Sequence, residues 1–518
     1  MQPDNNGALC MPSCEPEASP RQNEILIKFS AILAAAVLAD WLFYGHSLGA
    51  SVTLFLAALA SFAALTNPVK ASWRQVSLAV AVLVAALLPS LVEASWLSII
   101  FGVAGTAYAA LMLARPEVNW FERIGESISL ALSGIFRVFG DLSGIGKALP
   151  GGEKLADKSK FLIVWIVPLV FGVIFLMLFS SANPLIDGWL SAIDLRALFE
   201  HVSVARIAFW LTATMAVWPF IFIRLNNVKA IVAREFAAMG DNGEQAYKSR
   251  DANKGLFETL FTPAAILRSL IVFNILFAAQ TVMDGAYLWG GLSLPSGLTH
   301  AAYAHRGAYP LIFTALLAAA FVIIAMRPGS EAERSPLIRV LVFVWTGQNV
   351  VLVISSILRL DLYVQEYSLT YLRLAAFVWM LLVGLGLALI VARIVFRRSN
   401  SWLVRANLVS LGLTLYLCCF INFPRMIADY NVDHCREVSG QGQVLDRGYL
   451  LALGPQAVPS LDRYIAHTLP GTMLSHETFS LRNVVDGHGV RMRDWRTWTL
   501  RDWELGLYFI ANADLQRW

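Results

Sequence analysis

Long runs of hydrophobic residues, separated by short polar segments, occupy most of the chain. About 20 apolar residues cross the hydrocarbon core of a bilayer as one α-helix. By this criterion the sequence predicts eleven transmembrane helices, at residues 25–43, 49–65, 76–92, 96–113, 161–179, 204–223, 264–283, 309–326, 337–358, 374–395 and 403–423. The predicted fold class is therefore all-α, a polytopic bundle of transmembrane helices.

The polar segments divide the chain into three predicted regions. Residues 1–24 are expected to form a disordered cytoplasmic tail, residues 25–423 the transmembrane domain, and residues 424–518 a small, mostly helical soluble domain. Within the transmembrane domain, residues 119–146 repeat apolar side chains at spacings of three or four, which predicts an amphipathic helix at the membrane interface. Residues 224–262 are predicted to be a cytoplasmic loop.

The C-terminal region carries its own helix signals. Residues 444–453 and 456–468 predict two helices separated by the break Gly454-Pro455. Thr499 and Asp502 have the spacing of a helix start with an acidic residue in its first turn. A compact helical domain is therefore expected after the last span.

The distribution of Lys and Arg predicts the orientation. Basic residues concentrate in every second connection, and cytoplasmic loops retain positive charge. An odd number of spans with the N-terminus inside places the C-terminal domain in the periplasm, and the protein is expected to be a multi-pass protein of a bacterial inner membrane. The predicted outer connections hold only Arg196, Arg206, Arg306, Arg359 and Arg373.

Composition excludes an ordinary soluble protein. Hydrophobic residues make up 57% of the 518 positions and charged residues 15%, whereas a soluble domain has about 25% charged residues. The lipid bilayer is thus the expected partner of most of the surface. The net charge of +4 gives no indication of nucleic-acid binding, and the five cysteines form no disulfide framework. No cofactor motif is present.

Two features suggest a catalytic or metal-binding site, but each has a simpler structural interpretation. The segment Gly45-His46-Ser47-Leu48-Gly49 matches the serine-hydrolase pentapeptide, but that pattern requires a preceding strand, and here it joins two apolar helices. All eight histidines lie in predicted outer segments, yet their spacing matches no metal-ligand motif, and they are interpreted as surface residues. We therefore predict no catalytic residue and no metal site.

The densest polar cluster is the predicted outer loop after the ninth span. It is a candidate ligand-binding surface, whereas the alternative is the ordinary enrichment of tyrosine at membrane interfaces. Its two arginines contradict the charge bias, so each is expected to pair with a carboxylate, such as Asp361 or Glu366. The candidate residues are Arg359, Asp361, Tyr363, Glu366, Tyr367, Tyr371 and Arg373.

Few polar residues lie within the predicted spans. Asn274, Gln348 and Asn349 are candidate lining residues of a transport path, although amides at depth also hydrogen-bond between helices. Asp40, at the end of the first span, is a further candidate for ligand binding, either lining an outward cavity or lying at the water boundary.

Several short stretches together resemble a family of bacterial membrane proteins designated domain of unknown function 4173. They are Ala39-Asp40-Trp41-Leu42-Phe43-Tyr44-Gly45, Leu369-Thr370-Tyr371-Leu372-Arg373-Leu374 with Phe377-Val378-Trp379, Ile427-Ala428-Asp429-Tyr430-Asn431-Val432, and Asp494-Trp495-Arg496. The resemblance implies a multi-span membrane protein with a soluble tail and implies no activity.

These observations favour a non-enzymatic envelope scaffold or sensor. Its outward-facing surface would bind a periplasmic protein, a lipid or an envelope polymer. A membrane transporter or channel is the alternative. A membrane-embedded glycosyl- or acyl-transferase is the second alternative, which rests on analogy of architecture alone.

Overall fold

The computed structural model describes residues 20–132, 138, 203–223, 262–286, 321, 335–468 and 475–512. These residues form helices and turns and include no strand, in agreement with the predicted all-α fold. The chain divides into two compact units, Met1–Leu225 and Asn226–Trp518, which are described separately.

The described residues of the first unit form four apolar helices near the N-terminus, a shorter amphipathic helix and one more apolar helix. They are α1 Pro20–Phe43, α2 Ala50–Thr66, α3 Trp73–Val92, α4 Trp96–Ala114, α5 at 120–132 and α6 Val204–Ile221. Helices α3 and α4 approach closely at Gly105, where an added Cβ would lie 2.1 Å from the Ala86 Cβ. Small residues permit such contacts between transmembrane helices.

The described residues of the second unit form four long helices, which are followed by the C-terminal helices. The long helices are α7 Pro263–Asp284, α8 Pro336–Tyr367, α9 Tyr371–Val395 and α10 Asn400–Cys418. The C-terminal helices are α11 Phe423–Asp433, α12 Arg436–Ser439, α13 Arg447–Ala452, α14 Val458–Thr468, α15 Ser475–Met492 and α16 Leu500–Ala511.

Within the described residues, seven helices are long and apolar enough to cross a membrane, and α2 and α6 are shorter apolar helices. All nine coincide with predicted spans. The predicted spans at 161–179 and 309–326, apart from Phe321, lie outside the described residues, as does the predicted loop at 224–261. Of the predicted interfacial helix, 120–132 is described, and its Ile124 and Ile128 side chains are exposed, as an apolar face toward lipid requires.

Three predicted boundaries differ from the structure. Helix α1 begins at Pro20, inside the predicted tail. Helix α10 ends at Cys418, because Asn422 and Pro424 begin a new helix. The largest difference is at α8, which continues to Tyr367 instead of ending at residue 358. Leu360 and Val364 keep the helical spacing and are buried, so packing extends this helix.

The helices α11 to α16 form a small domain with its own core. The predicted helices are present as α13 and α14, and Thr499 caps α16 by accepting a hydrogen bond from the Asp502 amide, as the sequence indicated. Its buried apolar side chains are Ala428, Val432, Cys435, Leu445, Leu450, Ala457, Val458, Leu461, Tyr464, Leu505 and Phe509.

Candidate functional site

A buried ion pair joins α7 to α8. The side chain of Arg359 is 3% exposed and that of Asp284 is 1% exposed, and the guanidinium donates to the carboxylate. The Gln280 amide donates to the same carboxylate oxygen at 2.8 Å. Ionisable groups buried among transmembrane helices are costly and usually have a function or a specific partner. This pair is therefore a candidate functional element of the second unit.

Arg359 has a carboxylate partner, as expected, but this partner is Asp284, which was not among the suggested acids. Asp361 accepts a hydrogen bond from Gln365 at 2.9 Å, and Glu366 accepts one from Gln443 at 3.5 Å. Asp361 and Glu366 follow Arg359 on the same helix, α8. The guanidinium of Arg359 donates to Asp284, which lies on α7. The sequence signal that could have identified this pair is Asp284, an acidic residue directly after an apolar run.

Two of the three span-lining amides bridge α7 and α8. The Asn274 amide donates to the Leu341 carbonyl at 3.2 Å, and the Gln348 amide donates to the Asn274 carbonyl at 3.3 Å. Asn349 instead donates to the Trp345 carbonyl within its own helix. The side-chain carbonyl oxygens of all three amides are buried and have no hydrogen-bond partner among the described residues.

The three candidate tyrosines lie on either side of the turn between α8 and α9. Tyr363 and Tyr367 pack with tilted rings, whose centroids are 4.8 Å apart, near the end of α8, whereas Tyr371 begins the next helix. The interpretation of residues 359–367 as a loop was therefore wrong. The chain turns at Ser368, which has a φ of +67°.

Arg373 stabilises this turn. Its guanidinium donates to the carbonyls of Tyr367 and Ser368 and lies 4.5 Å from the Tyr363 ring centroid. The expected partner Glu366 is replaced by these carbonyl groups, which are the free acceptors that every helix C-terminus presents. A cation at this position also interacts favourably with the helix dipole.

The C-terminal domain binds the same turn. The Asn431 side chain accepts from the Leu369 amide at 2.7 Å and donates to the Leu369 carbonyl at 2.9 Å, and Asn431 is 4% exposed. The Tyr371 amide donates to the Tyr449 hydroxyl at 3.1 Å. These two residues were not predicted as site residues, although Asn431 lies in a stretch that carried the family resemblance.

Asp361 and Tyr430 add an electrostatic element to this interface. Burial, with a further contribution from the Asp361 carboxylate, raises the pKa of Tyr430. The Tyr430 ring stacks on His434 with centroids 4.1 Å apart. The end of α8, the turn at 368–370 and helix α11 are therefore neighbours, and we call this region the docking turn surface.

The first unit contains a separate ion pair. Asp40 is 9% exposed; it accepts from Arg206 Nε at 2.9 Å and from Trp210 Nε1 at 3.1 Å. Arg206 also lies 5.2 Å from the Tyr44 ring centroid. Asp40 thus lies within a packed contact between α1 and α6. Arg206 also contradicts the predicted charge bias, and it pairs with Asp40 near the end of α1.

The remaining motifs have structural roles. Residues 44–49 form a turn between α1 and α2, with Gly45 at a φ of +79°, as predicted for the serine-hydrolase-like pentapeptide. Among the described residues no cluster of potential metal ligands occurs. The surface interpretation of the histidines was wrong for His488, which is 3% exposed.

The long apolar helices define a polytopic helical membrane protein. A family model described as a domain of unknown function, DUF4153, matches residues 78–464. The chain belongs to this family. The resemblance to family 4173 was therefore correct in placing the chain among uncharacterised families and wrong in the family number. No curated protein and no solved structure matches the chain.

Proposed function

We propose that this protein is a non-enzymatic membrane sensor or scaffold whose C-terminal domain and docking turn surface form one binding module. The observation that supports this most directly is the Asn431 amide, which satisfies both backbone groups of Leu369. Paired side-chain to backbone hydrogen bonds at a buried position fix two elements in one register. The soluble helices are thus held to the connection between two transmembrane helices.

A chain of contacts leads from this module into the bundle. Arg359 and Tyr363 lie one turn apart on α8, and Arg373 stacks on Tyr363 while holding the turn at residue 368. Leu369 follows directly and contacts Asn431. A change in the C-terminal domain can therefore alter the end of α8 near the buried Asp284–Arg359 pair. Spatial continuity supports coupling, and only perturbation demonstrates it.

The proposed location is a bacterial inner membrane, with the module on the periplasmic side. The support is the concentration of Lys and Arg in the alternate connections. A reporter that is active only in the periplasm should be active when it is fused after Trp518. A reporter that is active only in the cytoplasm should be active when it is fused at Gly240. The same compartment for both positions would contradict this orientation.

Site-specific photocrosslinking in cells tests the function. A photoreactive amino acid is placed at Glu366 or at Val444, both exposed on the module, and at Leu408, an exposed apolar position of α10, as the control. A sensor or scaffold should give the same discrete adduct from both module positions and not from Leu408. Asn431→Ala should weaken the adduct. No adduct, or the same pattern from Leu408, would contradict the proposal.

Transport is the second candidate, and one observation favours it. The buried Asp284–Arg359 pair lies on the same two helices as the amides of Asn274 and Gln348, whose side-chain oxygens are buried without described partners. Such polar groups are typical of substrate or proton paths. A proton-driven current in proteoliposomes that is lost in Asp284→Asn would favour transport over sensing.

A further inference from the structure

A cavity of about 750 Å³ lies between α15 and α16 in the C-terminal domain. Its size is within the range of small-molecule sites, roughly 300–1,000 Å³. A short turn around Trp495–Thr497 connects the two helices. The residues that matter for its chemistry are Arg482, Asp486, His488, Arg493, Trp503 and Phe509.

His488 is a buried polar group at this cavity. Its side chain is 2% exposed, and neither ring nitrogen has a hydrogen-bond partner among the described residues. The nearest carboxylate oxygen, on Asp502, is 3.7 Å from Nδ1, which is beyond hydrogen-bond distance. The Phe509 ring packs edge-on at 5.4 Å between centroids. Because buried polar groups are almost always hydrogen-bonded, this imidazole lacks a partner that a ligand in the cavity can supply.

The walls and the rim of the cavity differ in character. Val490, Leu507 and Ile510 line it and are exposed, which is unusual for large apolar side chains on two adjacent helices of a small domain. The rim carries Arg482 and Arg493 against a single acid, Asp486, which lies 3.9 Å from Arg482. The cavity thus combines an apolar wall, a net positive rim and one buried hydrogen-bonding ring.

We propose that this cavity binds a small amphipathic anion, a carboxylate or phosphate attached to an apolar body. His488 donates a hydrogen bond to the anionic group from the buried side, Arg493 and Arg482 attract it at the rim, and Trp503 and its apolar neighbours cover the body. This deepens the proposed sensing role, since it names the ligand class that the C-terminal domain detects. Binding itself does not depend on that role.

Photoaffinity labelling of the full chain in lipid nanodiscs tests the proposal. The probe is an eight-carbon carboxylate that carries a diazirine, and competitors are octanoate, octyl phosphate and octyltrimethylammonium. We expect labelling within residues 482–510 that both anions suppress and the cation does not. Suppression by octyl phosphate at much lower concentration than octanoate would assign a phosphate ligand, and the reverse a carboxylate. Absent labelling in this segment, or equal competition by the cation, would overturn the proposal.

Variants distinguish this site from general partitioning into lipid. His488→Phe keeps a ring and removes both nitrogens, and Arg493→Gln removes an exposed rim charge. Each variant should weaken the competition by octanoate about tenfold, which is the effect expected when a hydrogen bond to a charged group is lost. Asp486→Asn should strengthen it. Arg425→Gln, an exposed arginine that does not line the cavity, is the control and should have no effect. Equal behaviour of Arg493→Gln and Arg425→Gln would also overturn the proposal.

Failure of this proposal and failure of the sensing role give different results. If the anions bind but leave hydrogen exchange at Leu369 unchanged, the site stands and the coupling to the docking turn surface is wrong. If labelling is absent while the crosslinks from Glu366 and Val444 persist, the binding module stands and its ligand is not an amphipathic anion.

Discussion

Removal of one partner from the Asp284–Arg359 pair is the most informative perturbation of the bundle. Asp284→Asn preserves the shape of the side chain but leaves a guanidinium that is 3% exposed beside a neutral amide. Arg359→Met has the opposite effect and leaves the carboxylate, which keeps its hydrogen bond from Gln280, without the charge of the guanidinium. Neither variant creates a large cavity, so the change in stability reports mainly on the charge.

The magnitude follows from the burial of both groups. Breaking a buried ion pair by removing one partner costs about 3–5 kcal/mol, because the other charge is left without compensation. Each single variant should lose free energy of unfolding in this range. The double variant Asp284→Asn with Arg359→Met removes both charges of the pair, and it should recover at least half of the loss.

Unfolding of the purified protein by dodecyl sulfate in mixed micelles measures these differences. Arg268→Gln, an exposed arginine on the same helix as Asp284, is the matched control and should change stability by less than about 0.5 kcal/mol. Single variants that behave like this control would refute the buried pair. A double variant as unstable as the sum of the singles would show that the two residues do not interact.

Three further predictions concern other contacts. Arg373→Ala removes the guanidinium from two carbonyls and from the Tyr363 ring, and it should lower the free energy of unfolding by about 1–3 kcal/mol. Arg373→Lys should recover only part of this loss, because lysine lacks the planar fork. Equal stability of the native protein and both variants would contradict this prediction. Asp40→Asn should destabilise less than Asp284→Asn, since its arginine partner is 55% exposed, and the same micelle titration compares them. Burial lowers the pKa of His488, so the unfolded chain binds more protons than the folded chain at mildly acidic pH. The protein should therefore be less stable at about pH 5 than at about pH 7.5, and its helical signal should be lost at a lower denaturant concentration at the lower pH.

The groups that surround His488 fix the sign of that last prediction. Asp502 raises the pKa of His488, whereas burial and Arg491 lower it, and burial is the largest effect. The stability that neutral His488 contributes is therefore present above about pH 6.5 and decreases as the pH falls toward the folded-state pKa. His488→Gln should flatten this dependence, and an unchanged pH profile in that variant would contradict the assignment.

Hydropathy located the nine apolar helices of the described residues, because a membrane helix must satisfy its backbone internally and cover itself with apolar side chains. The same criterion ended α8 too early. The residues after 358 mix Arg, Asp and Gln with apolar positions, and only the packing of Leu360 and Val364 shows that the helix continues.

Pairings between distant segments could not be read from the sequence. Asp284 and Arg359 are 75 residues apart, and Asn431 and Leu369 are 62 residues apart. Local patterns specify helices and turns but not which helix faces which. The two arginines of the 359–373 cluster contradict the charge bias, and each was expected to need a carboxylate partner. Arg359 has one in Asp284, whereas Arg373 donates to backbone carbonyls instead.

Hydrogen–deuterium exchange at the docking turn tests the central claim most directly. The account holds that the C-terminal domain is fixed to the α8–α9 connection through Asn431, whose side-chain oxygen accepts the Leu369 amide hydrogen. In nanodiscs the peptide that contains Leu369 should exchange slowly in the native protein and markedly faster in Asn431→Ala, while peptides from α3 in the first unit should not change. Exchange at Leu369 that is equally fast in both proteins would contradict the docking and, with it, the proposed binding module.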